Sequence, residues 1–383
     1  MLEWRPALQR LGERFASRVA EHDENDHFVS SNWEDLKKEK FFSAVVPQEL
    51  GGAGLPHSEM CELIREMALY CSSTALAFSM HQHLVAAAVW NYRHGNPGEK
   101  VLRRVADGET VLVSSGANDW LSSSGSLEPC EGGFRFSASK GFASGSPDGD
   151  LLITSGRYRD PKEGWQVLHF PLSLRAEGVR IQSNWKAMGM RGSGSNTVVI
   201  ENAFIPAESI GARRPMGKYH RVFDIVLTVA LPLVGAAYMG VAEAGARIAR
   251  ESAIRRGDDG ITPELLGELE NELTSARLAF ESAVAITNNF DFEPSPQKTS
   301  EVLVRKTILT QSVIRAVSKA LEVTGGGGYF RSMGLERLLR DSYAGQFHPL
   351  PPKKQHRFTG RLAMGLDVND IEKPASRAEA AGG

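Results

Sequence analysis

The chain has 383 residues, 42% of them apolar, with 44 basic against 46 acidic side chains and a pI near 6.6. That is enough apolar material for two or three packed domains, and a net charge of −2 offers no electropositive field for a phosphate backbone, so nucleic acid is not an expected partner. Cys61, Cys71 and Cys130 make no CxxC pair and no disulfide framework, and neither an apolar leader nor a bilayer-length apolar run is visible, so a cytoplasmic protein without a membrane partner is expected.

Trp4, Leu8, Leu11, Phe15 and Val19 recur at steps of four, three, four and four, and this apolar stripe predicts the first helix of an N-terminal helical domain over 1–108. "PQELGGAGL" (47–55) interrupts the pattern. A long apolar helical stretch follows from about Ser58 to Trp90, and "STALAFSMHQHLVAAAVW" within it is apolar nearly all round and therefore expected to be buried. From Glu109 the texture changes to short runs, "TVLVSS", "FRFSAS", "LLITSG", "WQVLHF", "VRIQS" and "TVVIENAFI", divided by Gly, Asp and Pro. These predict a compact antiparallel sheet or barrel in a middle β domain over 109–212, not alternating βα units.

After "IPAESIGARRP" the helical period returns, giving a C-terminal helix bundle over 213–370. Residues 221–256 form one long segment whose Gly235, Ala236, Ala237, Gly240, Ala242 and Gly245 let neighbouring helices approach closely. A second helix is predicted to start at Thr262-Pro263, with Thr262 as cap, Pro263 in the first turn and Glu264 favourable to the dipole. A third runs from about Ser300 to Val323 and stops at "TGGGGY", and the tail over 371–383 reads as disordered.

Three stretches carry a resemblance: "VVPQELGGAGL" (45–55), "NWKAMGMRGSGSNTVVIENAFIPAESI" (184–210) and "EVTGGGGYFRSMGLERLLRD" (322–341). In order and spacing they resemble signatures of the acyl-CoA dehydrogenase superfamily. The last is the most specific, with an acidic residue, GG-x-G-aromatic, then Arg337 and Asp341 at the family's offsets; Ser332 departs from the acid or amide of the pattern. The resemblance implies a mainly α, acyl-CoA dehydrogenase-like fold with a central β domain: an N-terminal α domain, a β-barrel-like middle domain and a C-terminal four-helix bundle. It also implies a bound flavin and a homodimer or homotetramer. Within it, Gly325, Gly326 and Gly328 would bring backbone N–H groups to a phosphate or adenine, although a glycine run after a helix is by default a C-cap. "KGFASGSPDGD" (140–150) resembles the family's Lys-aromatic-hydroxyl-Gly stretch, which implies Phe142 and Ser144 beside flavin N5; by itself it is a Ser-Gly turn.

Dehydrogenating an acyl thioester needs a carboxylate within reach of the α-carbon. "RDSYAGQFHPLPPK" (340–353) reads as an active-site lip, and His348-Pro349 stands where most family dehydrogenases carry a Tyr-Glu-Gly-Thr-like turn. The other customary seat, on the first long bundle helix, holds only Asp224. "GAND" (116–119) lacks a Thr-Glu-Pro opening, and "RRGDDG" (255–260) departs from the Arg-x-Gln-Phe-Gly that helps bind FAD, so FMN stands beside FAD as the expected flavin.

In His81, Asn118, Ser144, Trp185 and His348 the chain resembles instead the reduced-flavin monooxygenases of the dibenzothiophene monooxygenase type. That branch implies reduced flavin from a separate reductase, a C4a-hydroperoxide formed with oxygen, Ser144 holding N5, His348 and His81 as catalytic groups on opposite walls, and Asn118 and Trp185 at the flavin. Each has a plainer alternative: His81 as a satisfied core histidine, Trp185 as core, His348 as a loop residue with a backbone partner. His81 and His83 lie two apart on a predicted helix, roughly 200° around, so they cannot share a metal, and no metal site is expected. Phe347, Leu350 and the prolines point to a hydrophobic small-molecule substrate. The alternatives are an acyl-CoA dehydrogenase acting on an acyl thioester with a displaced base, His348 or Asp224, and a flavin-binding protein without turnover.

Overall fold

The computed structural model describes residues 4–115 and 119–371. The first stripe folds as α1 (Trp4–Asn25), which buries Leu8, Leu11 and Phe15. It is followed by α2 (Ser30–Lys38), α3 (His57–Ala68), α4 (Ser72–Arg93) and α5 (Glu99–Gly108). The stretch expected as one helix from Ser58 to Trp90 is two, because Cys71 is extended (φ −151°, ψ 103°) and ends the first ahead of Ser72. The α4 helix is buried on nearly all sides, as its composition predicts.

The middle of the chain supplies β1 (Leu112–Ser114), β2 (Ser126–Cys130), β3 (Gly133–Ala143), β4 (Leu151–Asp160), β5 (Gly164–Ser173), β6 (Val179–Ile181), β7 (Asn196–Pro206) and β8 (Ala212–Pro215). They form one sheet in the order β6-β7-β3-β2-β4-β5-β8, with β1 beside β4. Most pairs are antiparallel, but β1 and β2 both meet β4 in parallel. The sequence runs did not reveal β2 or β8. Only Leu127 of β2 is buried, and β8 reads Ala-Arg-Arg-Pro, so neither shows the apolar alternation of a half-buried strand. β8 also carries the sheet to Pro215, past the expected boundary at 212.

The helical remainder consists of α6 (Arg221–Arg256), α7 (Thr262–Thr287), α8 (Pro296–Thr324), α9 (Leu335–Tyr343) and α10 (Pro352–Ala363). α6 is apolar and long enough to span a bilayer, yet 94% of its most apolar window is buried inside the protein. Its small residues serve close packing: a Cβ on Gly240 would stand 2.3 Å from the Arg65 carbonyl of α3. Thr262 does not cap α7 with its own side chain; the Asp259 carboxylate accepts from Thr262 N at 2.7 Å and from its hydroxyl at 2.9 Å. α8 begins earlier than expected, where Ser295 caps by accepting from Lys298 N and Pro296 opens the first turn. Asp341, at the end of the glycine-rich signature, accepts from Ser72 Oγ and Met190 N, tying α9 to the start of α4 and to the loop ahead of β7.

Candidate active site

Between the sheet, α4, α6 and the turn from Ala344 to Pro351 lies a cavity of about 520 Å³. Its long wall is apolar, built from Leu76, Met80 and Leu84 of α4 and Val226, Ala230 and Val234 of α6, each set recurring at helical steps that put one face inward.

One end is the sheet. Phe142 adopts φ +58° and is 51% exposed, an unusual combination for an aromatic residue, and its ring meets Trp185 edge to face at 6.1 Å. Trp185 is pinned by donating from Nε1 to the Met190 carbonyl at 3.1 Å and from its backbone N–H to Asn196 Oδ1 at 3.0 Å. Ser144 is buried, and its hydroxyl joins a chain, 2.7 Å to Ser195 Oγ and a further 2.8 Å to Ser193 Oγ. Phe142, Ser144 and Trp185 thus meet in one lining, as the sequence resemblance implies. Asn118 lies outside the described residues, although Ser115 and Asp119 on either side of it line the cavity.

At the lip, His348 is brought in by the turn after α9. Its Nε2 lies 2.7 Å from Tyr238 Oη of α6. Lys306 of α8, itself buried, fixes the turn by donating to the carbonyls of His348 at 2.9 Å and Leu350 at 3.0 Å. Burial, with the Lys306 charge nearby, lowers the His348 pKa to about 3, and burial lowers that of Lys306 to about 8. The His348 imidazole is therefore neutral at neutral pH, and with Nε2 paired to Tyr238 it is not the loop histidine with a side chain bonded to backbone that the plainer alternative describes.

His81 is placed differently from the expectation. It is fully buried outside the lining, accepting from Leu112 N at Nδ1 (2.9 Å) and reaching the Phe42 carbonyl with Nε2 (3.0 Å). Both ring nitrogens are spent on backbone, so the imidazole joins α4 to β1 and has nothing left for a substrate. His83, two residues on, is the α4 histidine that lines the cavity; it is buried, and its Nδ1 has no partner. The signal was in the sequence, since residues two apart on a helix face opposite ways and only one of the pair can look into a given site. His169 of β5 and Ser195 are further lining residues that the sequence did not single out.

Gly325, Gly326 and Gly328 are not at the cavity. They lie in a 3-10 turn after α8 in which Gly325 and Gly326 are exposed and Gly328 is buried, and Gly325 (φ +62°) caps the helix by donating to the carbonyls of Leu321 and Glu322. A Cβ on Gly326 would meet nothing within 4 Å, whereas one on Gly328 would stand 2.0 Å from Thr324 Oγ1, so close packing explains only the latter.

Two carboxylates bear on the chemistry. Asp224, a candidate displaced base, is buried away from the lining and accepts from Tyr219 Oη and from Thr299 Oγ1. Asp119 does line the cavity, but Oδ1 accepts from Ser124 N and Ser124 Oγ, each at 2.9 Å, and Oδ2 from the buried Lys140 ammonium at 2.5 Å. No other Asp or Glu faces the cavity among the described residues.

The fold and this site define the class: the chain belongs to the acyl-CoA dehydrogenase superfamily, matching the acyl-CoA dehydrogenase N-terminal domain over residues 5–109 and the C-terminal domain over 227–350. Among curated relatives, L-evernosamine nitrososynthase of Micromonospora sp. (strain ATCC 39149 / NRRL 15099 / SCC 1413) is 26% identical, over 92% of this chain and 88% of its own. Dibenzothiophene monooxygenase of Mycolicibacterium goodii is 26% identical over 87% of each chain, and acyl-CoA dehydrogenases match as well. Among solved structures, KijD3 in complex with FMN and dTDP-3-amino-2,3,6-trideoxy-4-keto-3-methyl-D-glucose superposes with a TM-score of 0.87 at 25% identity, covering 97% of this chain and 98% of that one. The residues present suit a flavin, the cofactor of this superfamily: a planar ring finds aromatic faces in Phe142 and Trp185, and its polar edge finds the Ser144 hydroxyl.

Proposed function

We propose that this chain is the oxygenase of a two-component flavin monooxygenase, taking FMNH2 or FADH2 from a separate reductase and using O2 to oxygenate a hydrophobic small molecule. The observation that carries the reading is the state of Asp119. It is the carboxylate in the lining, and both its oxygens are occupied by donors, one of them a buried ammonium. An occupied carboxylate is a poor base for the weakly acidic α-proton of a thioester, so desaturation lacks the carboxylate that customarily drives it. Similarity to a nitrososynthase and a dibenzothiophene monooxygenase supports the same reading.

When bound, a reduced flavin supplies two electrons to O2, so that one oxygen atom enters the substrate and the other leaves as water. The chain's own groups do the rest. Ser144 can donate or accept, because the Ser195 and Ser193 hydroxyls behind it can reverse their direction together. The α4 and α6 walls exclude water from the reacting atoms. His83, neutral at neutral pH, is the group able to take a proton from a substrate, while His348, neutral as well and with Nε2 occupied by Tyr238, offers its other ring nitrogen as a donor. A dimer or tetramer, and a cytoplasmic setting with its reductase, complete the proposal.

The test combines the purified chain, a flavin reductase, NADH, FMN or FAD and 18O2 with dibenzothiophene and a panel of neutral aromatic amines and sulfides. The expected result is one labelled oxygen atom per product molecule. Anaerobic bleaching of oxidised flavin by acyl-CoA thioesters, without labelled product in the first assay, would establish the dehydrogenase instead.

A further inference from the structure

The sheet end of the cavity contains a hydrogen-bond donor that the chemistry above does not use. Arg214 of β8, buried to 1% exposure, donates from Nε to His169 Nε2 at 3.1 Å, while its terminal nitrogens donate to the carbonyls of Leu121 at 2.6 Å and Trp120 at 3.2 Å. A guanidinium can only donate, so His169 Nε2 must be the acceptor. A neutral imidazole has one acceptor and one N–H, and the proton is therefore on Nδ1. Burial and the Arg214 charge hold the ring neutral, with a pKa lowered to about 4. His169 lines the cavity, and Nδ1 has no partner among the described residues. It is a donor whose tautomer and charge are both fixed by a neighbour.

Trp120 Nε1 of the lining is a second buried N–H without a partner, and the other polar groups nearby are matched. Ser115 and Thr154 bond each other at 2.8 Å, Ser155 bonds Ser123 at 2.9 Å, and Asp119 is saturated as described. The cation of the lining is Lys354, exposed at the rim, so a phosphate or carboxylate lying deep in the cavity would meet no opposite charge there. Unpaired N–H groups at the end of an apolar cavity favour a ligand that brings an acceptor to them.

We infer that the substrate is an uncharged, largely apolar molecule carrying an oxygen acceptor such as a ketone, and that His169, oriented by Arg214, selects that oxygen. This deepens the proposed function, whose substrate it describes. Its test involves no turnover, so a failure of oxygenation does not count against it.

The experiment is calorimetric titration of the full chain, anaerobically, with and without oxidised FMN. Three probes of one shape are used: 2-acetylnaphthalene, 2-isopropenylnaphthalene (CH2 in place of O) and 2-naphthoate. The ketone is expected to bind roughly five- to tenfold tighter than the alkene, the value of one neutral hydrogen bond, and at least as much tighter than the anion. His169→Phe should remove the preference for ketone over alkene, and His169→Asn, whose amide N–H replaces Nδ1–H, should keep it. Equal binding of ketone and alkene by the wild type overturns the inference without any variant having to fold. So do failure of both neutral probes to bind, tighter binding of the naphthoate, a preference that survives in His169→Phe, or a loss in that variant of FMN affinity alone.

Discussion

His348 Nε2 and the Tyr238 hydroxyl lie 2.7 Å apart, and Tyr238 Oη has no other partner among the described residues. A buried hydroxyl that only accepted would leave its own proton unpaired, so the phenol donates and the His348 proton resides on Nδ1. The two residues come from different parts of the bundle, and Lys306 holds the turn from behind. Tyr238→Phe should therefore keep the fold at a cost of about 0.5–1.5 kcal/mol while releasing the imidazole from its set orientation. The expected outcome is a roughly tenfold or greater fall in kcat with flavin binding unchanged, measured by steady-state oxygenation and by flavin titration. An unchanged kcat would remove His348 from the chemistry.

The two histidines of α4 should separate stability from function. His81→Leu leaves Leu112 N without a partner in the core and the Phe42 carbonyl with only the longer bond from Gln82 Nε2 at 3.3 Å, a loss of about 1–3 kcal/mol, whereas the folded fraction should retain its activity. His83→Leu removes a ring whose Nδ1 is already unpaired, so stability should change by less than about 1 kcal/mol while turnover falls. Urea unfolding beside activity per folded molecule reads both. The reverse pattern would return the catalytic role to His81.

Five buried or half-buried histidines make the protein sensitive to acid. Desolvation lowers His57, His83 and His169 to about 4 and His81 and His348 to about 3, against 6.5 in the unfolded chain. Between pH 6.5 and 4 the unfolded state therefore binds more protons than the native state. Stability is fully present above pH 6.5 and falls with pH by up to roughly 1.4 kcal/mol per unit for each group. The buried carboxyls of Glu109, Asp224 and Asp341 are raised by desolvation and work in the opposite direction, three groups against five. Tm should fall steeply from pH 6.5 to 4.5, and His81→Gln should flatten that slope relative to wild type. A flat Tm over that range would contradict the neutral histidines.

Helix–sheet–helix order, the α6 limits and the strands with alternating apolar residues were legible in the sequence because burial on one or all sides leaves a periodic record. What escaped was set by contacts distant in sequence. β2 exposes four of its five residues, and its pairing with β4 is decided by the sheet, not by its own composition. In the candidate site, Phe142, Ser144, Trp185 and His348 followed from motifs that carry their own turns. His169 escaped because its donor depends on Arg214, 45 residues later and on a strand that was itself missed. His81 misled because an α4 histidine was expected at the cavity, and only the helix rotation seen in the structure gives that place to His83.

The buried pair of Asp119 and Lys140 gives the sharpest test of the missing base. Lys140 is 1% exposed and donates to Asp119 Oδ2 at 2.5 Å and to the carbonyls of Ser124 and Ser155, each at 2.8 Å. Removing one charge of such a pair strands the other, so Asp119→Asn should cost about 3–5 kcal/mol. Lys140→Met combined with Asp119→Asn should recover a large part of that loss, since no charge is then left behind. Catalysis distinguishes the roles. If Asp119 only neutralises Lys140, the double variant should oxygenate substrate within about threefold of wild type per folded molecule, with an unaltered pH profile above pH 6. Were Asp119 the base, the double variant would be as inactive as Asp119→Asn despite its regained stability, and the acidic limb of the profile would vanish with the carboxylate. Chemical denaturation paired with single-turnover oxygenation across pH 5–8 decides between them.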